Sequence, residues 1–396
     1  MTKRISRGLA IGAFLVLALM FLAGAHYYLA QRLVLDPGWP EPARTLGVAA
    51  LAVLAALIAV HPIAERALPR TLARFVSWPA ALWMGAFFWL FLLLLASDVV
   101  LWTAGGVARA ADASAPGEGA AVLRAVLALG ITGAALAAGL RNGLAPPALR
   151  REEFAIERWP RALDGFRIVQ ISDIHIGPLL GRDFAAQLTQ RVNALAPDLV
   201  AVTGDLVDGS APRLAGEVAP FAGLRGRYGV FFVTGNHDHY SGADHWSEAV
   251  RGLGMRVLRN ERVEIGAPGA SFDLVGVDDH HAHFAGDGRS DLARALAGRD
   301  SERAAVLLAH DPATFTRARS AEIDLQLSGH THGGQIWPFA WFVRIATPYV
   351  AGRYREGRAQ LYVSRGTGFW GPPLRLFSPA EITEITLRRA PMEAAS

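Results

Sequence analysis

Three long segments of the chain contain no Asp, Glu, Lys or Arg: residues 8–31, 45–64 and 75–97. About 20 predominantly apolar residues are needed for a helix to cross the hydrocarbon core of a bilayer, and each segment is that long. A fourth segment, residues 119–140, is rich in Ala and Gly and carries Arg124 close enough to one end for its side chain to reach the interface. The sequence therefore predicts a membrane region with four spanning helices within residues 1–145.

The first apolar segment follows Lys3, Arg4 and Arg7, and a basic start of this kind also precedes secretory signal peptides. Three further apolar segments, and the lack of a small-residue cleavage site before Gln31, favour an uncleaved anchor.

Charge is divided unevenly along the chain. Residues 1–150 hold 12 of the 39 Lys and Arg and 6 of the 35 Asp and Glu, which leaves 27 and 29 for the remainder. The basic excess thus belongs to the membrane region, and the following domain lacks the electrostatic signature of nucleic-acid binding. The chain has no cysteine, which excludes disulfides, thiolate metal sites and cysteine nucleophiles.

Lys and Arg in short loops indicate orientation, because the cytoplasmic side carries their excess. The basic residues before the first segment, between the second and third, and after the fourth outnumber those on the other side. Both termini are therefore expected in the cytoplasm, unless the fourth segment does not cross, which would place the following domain outside. His26 and Asp98 both lie near segment ends, so the spans show little sign of a transport path.

After a basic linker at residues 146–164, short apolar runs alternate with helical patterns. The runs at 166–172, 199–203, 230–234, 272–277, 304–309 and 325–328 are typical of buried strands, and residues 184–195, 247–253 and 292–296 of helices. This alternation predicts an α/β domain whose ligands bind beyond the carboxyl ends of strands.

Five of these strands end in polar clusters. The clusters are Ser-Asp-Ile-His at 172–175, Gly-Asp-Leu-Val-Asp at 204–208, Gly-Asn-His-Asp-His at 235–239, His-Asp-Pro at 310–312 and Gly-His-Thr-His-Gly-Gly at 329–334. Each alone is common turn chemistry. Five strand ends with unpaired polar groups would be costly in a core unless a ligand satisfied them, so together they indicate a site.

These clusters, in this order, resemble the calcineurin-like metallophosphoesterase superfamily over residues 165–388, with residues 389–396 as a tail. The stretch from Ser364 through Pro372-Pro373-Leu374-Arg375 to Thr383 also resembles a bacterial, often membrane-attached branch. The resemblance implies a sandwich of two mixed β-sheets flanked by helices, with a dinuclear site at its edge. It also implies a location in the bacterial inner membrane.

Carried over by position, the resemblance implies one ion held by Asp173, His175, Asp205 and His332. It implies a second held by Asp205, Asn236, His310 and His330. Nitrogen and oxygen ligands suit Mn, Fe or Zn, and the sequence leaves the choice open. Two such ions would allow direct attack on phosphorus by a hydroxide bridging them, without a covalent intermediate.

His237 is the residue that the resemblance implies to stabilise the phosphoryl group or protonate the leaving oxygen, and Asp208 would orient it. Asp208 is alternatively a turn-capping residue. Gly209 stands where Ser/Thr protein phosphatases of the superfamily carry a phosphate-gripping arginine, which counts against a protein phosphatase. Arg365 and Arg375 are the candidates for a replacement clamp, and either is alternatively a surface or carboxylate-paired arginine.

The predicted function is hydrolysis of a phosphodiester or pyrophosphate, such as a lipid-linked one, at the membrane. The alternative is a membrane sensor or scaffold that binds a phosphorylated ligand without turnover. No nucleic-acid partner is expected, and the oligomeric state stays open. Residues 278–283 are either an exposed histidine-rich loop or part of the mouth of the site. Residues 336–342 either pack in the core or form an apolar lip beside the site that contacts lipid.

Overall fold

The computed structural model describes residues 2–110, 119–285 and 289–390, so most of the predicted tail lies outside the described residues. The chain divides into two compact units, residues 1–138 and 139–396. The division falls near the predicted boundary, although the last turns of the fourth membrane helix belong to the second unit.

The first unit is helical. Its elements are α1 (Thr2–Ala30), which continues as a short π-helix (Gln31–Leu35), α2 (Ala43–Ala67), α3 (Arg70–Ala110) and the beginning of α4 (Gly119–Leu144). All four helices contain windows long and apolar enough to cross a membrane, as predicted. Helix α3 is longer than the predicted segment 75–97, because it begins at Arg70 and continues past Asp98 through a further, mostly apolar stretch.

An ion-pair cluster links the short π-helix after α1 to α3 and α4. Asp98 of α3 lies 2.9 Å from Arg32 and 2.7 Å from Arg124, and Asp36 lies 2.8 Å and 2.9 Å from the same two arginines. The arginine predicted to lie near a membrane surface is thus paired with carboxylates, which lowers the cost of placing its charge there.

After the end of α4, the second unit contains twelve strands and eight further helices in its described part. In chain order they are β1 (Ala148–Ile156), β2 (Phe166–Ile171), α5 (Arg182–Ala194), β3 (Leu199–Thr203), α6 (Ala211–Val218), β4 (Val230–Val233), α7 (Asn236–Tyr240), α8 (Ala243–Gly252), β5 (Arg256–Val257), β6 (Glu261–Ala267), β7 (Ala270–Gly276), α9 (Ala282–Ala285), α10 (Leu292–Leu296), β8 (Ala305–Leu308), α11 (Phe315–Ala318), β9 (Leu325–Ser328), α12 (Phe339–Ala346), β10 (Gly352–Glu356), β11 (Ala359–Val363) and β12 (Glu381–Arg389).

The strands form two mixed sheets. The first has the order β1-β12-β2-β3-β4-β5, in which only the β12–β2 pair is antiparallel. The second has the order β10-β11-β9-β8-β7-β6, with antiparallel pairs at its two edges. The predicted sandwich of two mixed sheets is confirmed.

Apolar residues of both sheets form the central core, including Ile168, Leu199, Leu274 and Leu327. A second core packs α5, α6 and α8 on the outer face of the first sheet, and a third packs α10 and α11 on the second. The carboxyl ends of β2, β3 and β4 in one sheet, and of β8 and β9 in the other, consequently open on the same edge of the sandwich.

The predicted linker 146–164 differs from the structure, since residues 148–156 form β1 at the edge of the first sheet, paired with β12. Only Phe154 and Ile156 of its nine residues are buried. The strand therefore lacks the continuous apolar run that identifies a central strand from sequence, and its charged side chains suit an exposed edge.

Candidate metal centre

The structure brings the seven predicted metal ligands to the edge where the parallel strands end. They come from the loops after β2, β3, β4, β8 and β9, and they are Asp173, His175, Asp205, Asn236, His310, His330 and His332.

The first group consists of Asp173, His175 and His332, whose ligand atoms all lie within 4.8 Å of one another. The two imidazole Nε2 atoms are 3.1 Å apart, and Nε2 of His332 lies 3.4 Å from Oδ1 of Asp173. All three residues are buried. The arrangement offers one carboxylate oxygen and two imidazole nitrogens to a single point.

The second group consists of Asp205, His310 and His330, again within 4.8 Å. Nε2 of His310 lies 3.1 Å from Oδ2 of Asp205. Oδ1 of Asn236 lies 2.9 Å from Nδ1 of His330, so the amide joins this group.

One oxygen of Asp205 faces both groups. Its Oδ2 lies 3.1 Å from Nε2 of His310 and 3.8 Å from Nε2 of His175. The other oxygen, Oδ1, accepts a hydrogen bond from the backbone N–H of His237 at 2.8 Å. The carboxylate is thereby held with one oxygen between the two groups, which is the position that a bridging ligand requires.

At this edge, Oδ2 of Asp173 is buried without a hydrogen-bond partner among the described residues, and the buried Nε2 of His310 faces the Asp205 carboxylate at 3.1 Å. An unpaired buried polar atom costs about 1–3 kcal/mol, so a partner is expected. Each atom belongs to a different group, and every donor is nitrogen or oxygen. The residues therefore fit two divalent cations of the Mn, Fe or Zn type.

The backbone of this edge is unusual, because five of the seven residues have a left-handed conformation. The φ angles of Asp173, His175, Asp205, His330 and His332 lie between 51° and 74°. Asp, Asn and His tolerate this region better than other side chains, but it is still sparsely populated. Backbone strain of this kind concentrates at functional sites, where the surrounding structure enforces it.

Two glycines allow the loops to approach the ligands. A Cβ atom on Gly329 would collide with Oδ2 of Asp173 and with Oγ of Ser172, and one on Gly235 would collide with the Asp205 carboxylate. Any side chain at either position would displace a ligand.

His237 and Asp208 lie beside the first group. Nδ1 of His237 is 2.7 Å from Oδ1 of Asp208, and Nδ1 of His175 is 3.1 Å from both oxygens of the same carboxylate. The structure thus places Asp208 against two imidazoles, whereas the capping alternative would direct it to backbone N–H groups. Nε2 of His237 and Nε2 of His175 therefore face away from the Asp208 carboxylate.

Burial acts to lower the pKa of His237, but the negative charges of Asp205 and Asp208 outweigh it and raise this pKa to about 9. Burial would raise the pKa of Asp208, yet the neighbouring His175 and His237 lower it below the ordinary value. A protonated His237 beside an ionised Asp208 has the charge of a proton donor.

The histidines of the two groups differ in electrostatics. Burial, His175 and Arg375 lower the pKa of His332, and burial and His310 lower that of His330. Burial also disfavours the charged form of His310, but Asp205 raises its pKa well above the ordinary value. His330 and His332 are consequently held neutral, the form that binds a metal ion.

Asp238 has a structural role that the sequence analysis did not assign. Its buried carboxylate accepts hydrogen bonds from the backbone N–H groups of Asp205 (2.9 Å), Leu206 (3.0 Å) and Gly235 (2.8 Å). It therefore ties the turn after β3 to the turn after β4. Its position in the Gly-Asn-His-Asp cluster at 235–238 is the feature of the sequence that points to this role.

The two candidate substrate arginines are engaged with the protein. Arg365 lies 3.1 Å from Glu381, which is the carboxylate-paired alternative. Arg375 is fully buried and donates to the carbonyl oxygens of Gly368 and Ser378, with Nη2 3.4 Å from Nδ1 of His332. The contacts of Arg375 favour a structural role over the predicted substrate clamp, because its donors are directed to backbone carbonyls and its guanidinium adjoins a metal-ligand candidate.

The loop at residues 278–283 contributes partly to the site. The ring of His281 stacks on that of His330 with centroids 5.6 Å apart, and its Nδ1 lies 3.2 Å from Oδ1 of buried Asp279. Asp278 instead forms an ion pair with Arg259 at 2.8 Å. His280 and His283 are exposed.

Comparison with known proteins finds similarity to metallophosphoesterases. A family model described as calcineurin-like phosphoesterase matches residues 166–334. A bovine (Bos taurus) "Transmembrane protein with metallophosphoesterase domain" is 41% identical over 68% of this chain, which spans 63% of that protein's length. An "Uncharacterized metallophosphoesterase" of Aquifex aeolicus is 32% identical over 61% of this chain and 92% of its own length. A solved dimetal phosphatase from Danio rerio aligns with 57% of this chain and all of its own, with a TM-score of 0.34 and 12% identity.

Proposed function

Because the chain belongs to the calcineurin-like metallophosphoesterases, we propose that it is a membrane-anchored hydrolase of phosphate esters that uses two divalent cations. The observation that carries the proposal is the position of Asp205, whose Oδ2 faces a histidine of each ligand group. Bound ions would supply Lewis-acid chemistry, polarising phosphoryl oxygens and lowering the pKa of water.

The protein's own residues would stabilise the charge of the phosphoryl group and supply a proton to the leaving oxygen. His237 is held by Asp208 through Nδ1, which leaves Nε2 for a phosphoryl oxygen or the leaving oxygen. With its pKa raised to about 9, His237 carries a proton at neutral pH and is able to donate it as the ester bond breaks. No side chain of the protein is required as a covalent nucleophile in this scheme.

The substrate class that we propose is a phosphodiester or pyrophosphate, such as a lipid-linked head group. Gly209 offers no side chain to grip a protein phosphate, and Arg365 and Arg375 both have partners within the protein. The four membrane-capable helices keep the site near lipids. We further propose the bacterial inner membrane as the location, with both termini in the cytoplasm, as the Lys and Arg distribution indicates.

The test uses full-length protein in detergent, with bis(p-nitrophenyl) phosphate and added Mn²⁺. Wild type is expected to hydrolyse the diester, and Asp205→Ala and His237→Ala are expected to lose this activity. Metal-dependent binding of phosphorylated ligands with no hydrolysis across many substrates would instead favour the sensor or scaffold. A reporter fused after Ser396 tests the orientation, because reporter activity outside the cell contradicts a cytoplasmic terminus.

The natural substrate is accessible through a deletion strain rescued by wild type or by His237→Ala. A phosphorylated lipid or metabolite that accumulates in the deletion, returns to normal with wild type and stays high with His237→Ala would be the substrate. If both rescues give the same lipid and metabolite profile, the cell does not require the hydrolysis that depends on His237.

A further inference from the structure

Helix α12 and its neighbours present an exposed aromatic surface on the second unit. None of the eight residues of α12 is buried. Trp341 is 64% exposed and Ile345 84%, and Phe377, from a separate loop, is 81% exposed. Of the two alternatives for residues 336–342, core or apolar lip, the exposure of α12 rules out the core for its residues. We call the surface formed by Trp337, Phe339, Trp341, Phe342, Ile345 and Phe377 the aromatic face.

The aromatic face is one continuous surface built from two segments. Trp337 N–H donates to the Leu376 carbonyl at 3.1 Å, and Ile336 forms a β-bridge with the same residue. The ring of Trp337 lies 6.1 Å from that of Trp341 and 6.3 Å from that of Phe377. A cluster of this kind on the surface of a water-exposed domain marks an interaction site.

The end of membrane helix α4 adjoins this surface within the same unit. The backbone N–H of Arg375 donates to the carbonyl of Gly139 at 2.9 Å, and Gly143 approaches Pro373 so closely that a Cβ atom would collide with its carbonyl. The segment that contacts α4 therefore continues directly into Leu376 and Phe377. The aromatic face thus lies next to the point where a membrane-capable helix ends.

The connection to the membrane helix is also short. α4 ends at Leu144 and β1 begins at Ala148, so three residues link them. Three extended residues reach only about 10 Å, so the first strand of the sandwich begins within about that distance of the end of α4. Trp and Phe partition to the bilayer interface, and the exposed Arg344 and Arg141 lie on α12 and in the last turns of α4, where they would meet anionic head groups.

We propose that the aromatic face inserts into the lipid interface of the membrane in which the chain is anchored. The face binds the bilayer itself, as a second attachment beside the spanning helices. It also borders the metal centre, because Gln335 follows the His330–Gly334 turn and its amide donates to the carbonyl of Trp370, whose ring lies 5.8 Å from that of His237. The insertion would hold the mouth of the site at the level of lipid head groups.

Because the chain has no cysteine, single cysteines allow a direct test. Phe342→Cys and Ile345→Cys are labelled with an environment-sensitive fluorophore in full-length protein reconstituted into vesicles of phosphatidylethanolamine and phosphatidylglycerol. Ser301→Cys is the matched control, since it is exposed at the amino end of β8, opposite the metal edge. Hydrolysis of bis(p-nitrophenyl) phosphate by each labelled variant checks the fold separately from the fluorescence.

Nitroxide-bearing lipids are expected to quench the labels at 342 and 345 at least about twofold more than the label at 301, because quenching requires contact with lipid. Acrylamide, a water-soluble quencher, is expected to show the reverse order. Labels at 342 and 345 that behave like the label at 301 overturn the proposal. Labels protected from both quenchers also overturn it, because protein would then cover the face.

Discussion

Nδ1 of His237 lies 2.7 Å from Oδ1 of Asp208, and the same carboxylate lies 3.1 Å from Nδ1 of His175. One side chain therefore orients both a metal-ligand candidate and the candidate proton donor. A carboxylate in this position fixes the tautomer and the ring direction of each imidazole.

Asp208→Asn is expected to reduce kcat/KM for bis(p-nitrophenyl) phosphate roughly 10- to 100-fold, because the amide keeps the shape but removes the charge that stabilises both imidazoles. The activity is measured at saturating Mn²⁺ so that weaker metal binding is separated from weaker turnover. Asp183→Asn, at an exposed position of α5, is the matched control and is expected to behave like wild type. An Asp208→Asn enzyme with wild-type kinetics would contradict the positioning role.

The two ligand groups are expected to respond separately to substitution. Protein dialysed against Mn²⁺ should contain about two ions, and His310→Ala should contain about one, since His310 belongs to the second group only. Metal content is measured by mass spectrometry, and EDTA treatment should abolish hydrolysis until Mn²⁺ is restored. His245→Ala, an exposed histidine in α8, serves as the control. Wild-type metal content in His310→Ala would count against the second ion.

Gly329→Ala is expected to lower the unfolding free energy by about 1–3 kcal/mol and to reduce metal content, because the new methyl group collides with Asp173 and Ser172. Gly216→Ala in α6 is the control, since a Cβ there meets no atom within 4 Å and alanine favours helix. Thermal unfolding and metal analysis give the comparison. Equal losses in the two variants would show that the effect is not specific to the metal edge.

Arg375→Lys is expected to lower the melting temperature and kcat while leaving KM nearly unchanged. The buried guanidinium donates to Gly368 and Ser378 and adjoins His332, and an ammonium cannot reproduce that set of contacts. Arg251→Lys, on the exposed surface of α8, is the control. A rise in KM with an unchanged melting temperature would restore Arg375 as a substrate clamp.

The central strands were predictable from sequence because their local pattern is strong. β3 and β8 are short, predominantly apolar runs buried along their whole length, and each ends at a polar cluster. The sequence predicts a linker where β1 forms, because a strand with only two buried residues has no continuous apolar run. Its partner, β12, also follows more than 200 residues later. Pairing at such a separation leaves no local signal.

The metal-ligand candidates were also predictable from sequence, because the polar clusters at the strand ends contain these residue types in this order. The burial of Arg375 was not accessible, since an arginine in a Pro-rich loop gives no indication that carbonyl groups surround it. The bonds from Asp238 to three backbone N–H groups were also hidden, because they depend on how two separate turns meet.

The left-handed backbone at Asp173, Asp205 and His332 limits which substitutions these positions can accept during evolution. Glycine would relax the backbone at these positions but would remove the donor atom, and glutamate would keep a carboxylate but suits this backbone poorly. Asparagine satisfies the backbone and retains an oxygen donor. It is therefore the mildest available replacement for either aspartate, and drift at this edge is expected to pass through asparagine rather than through a longer acid.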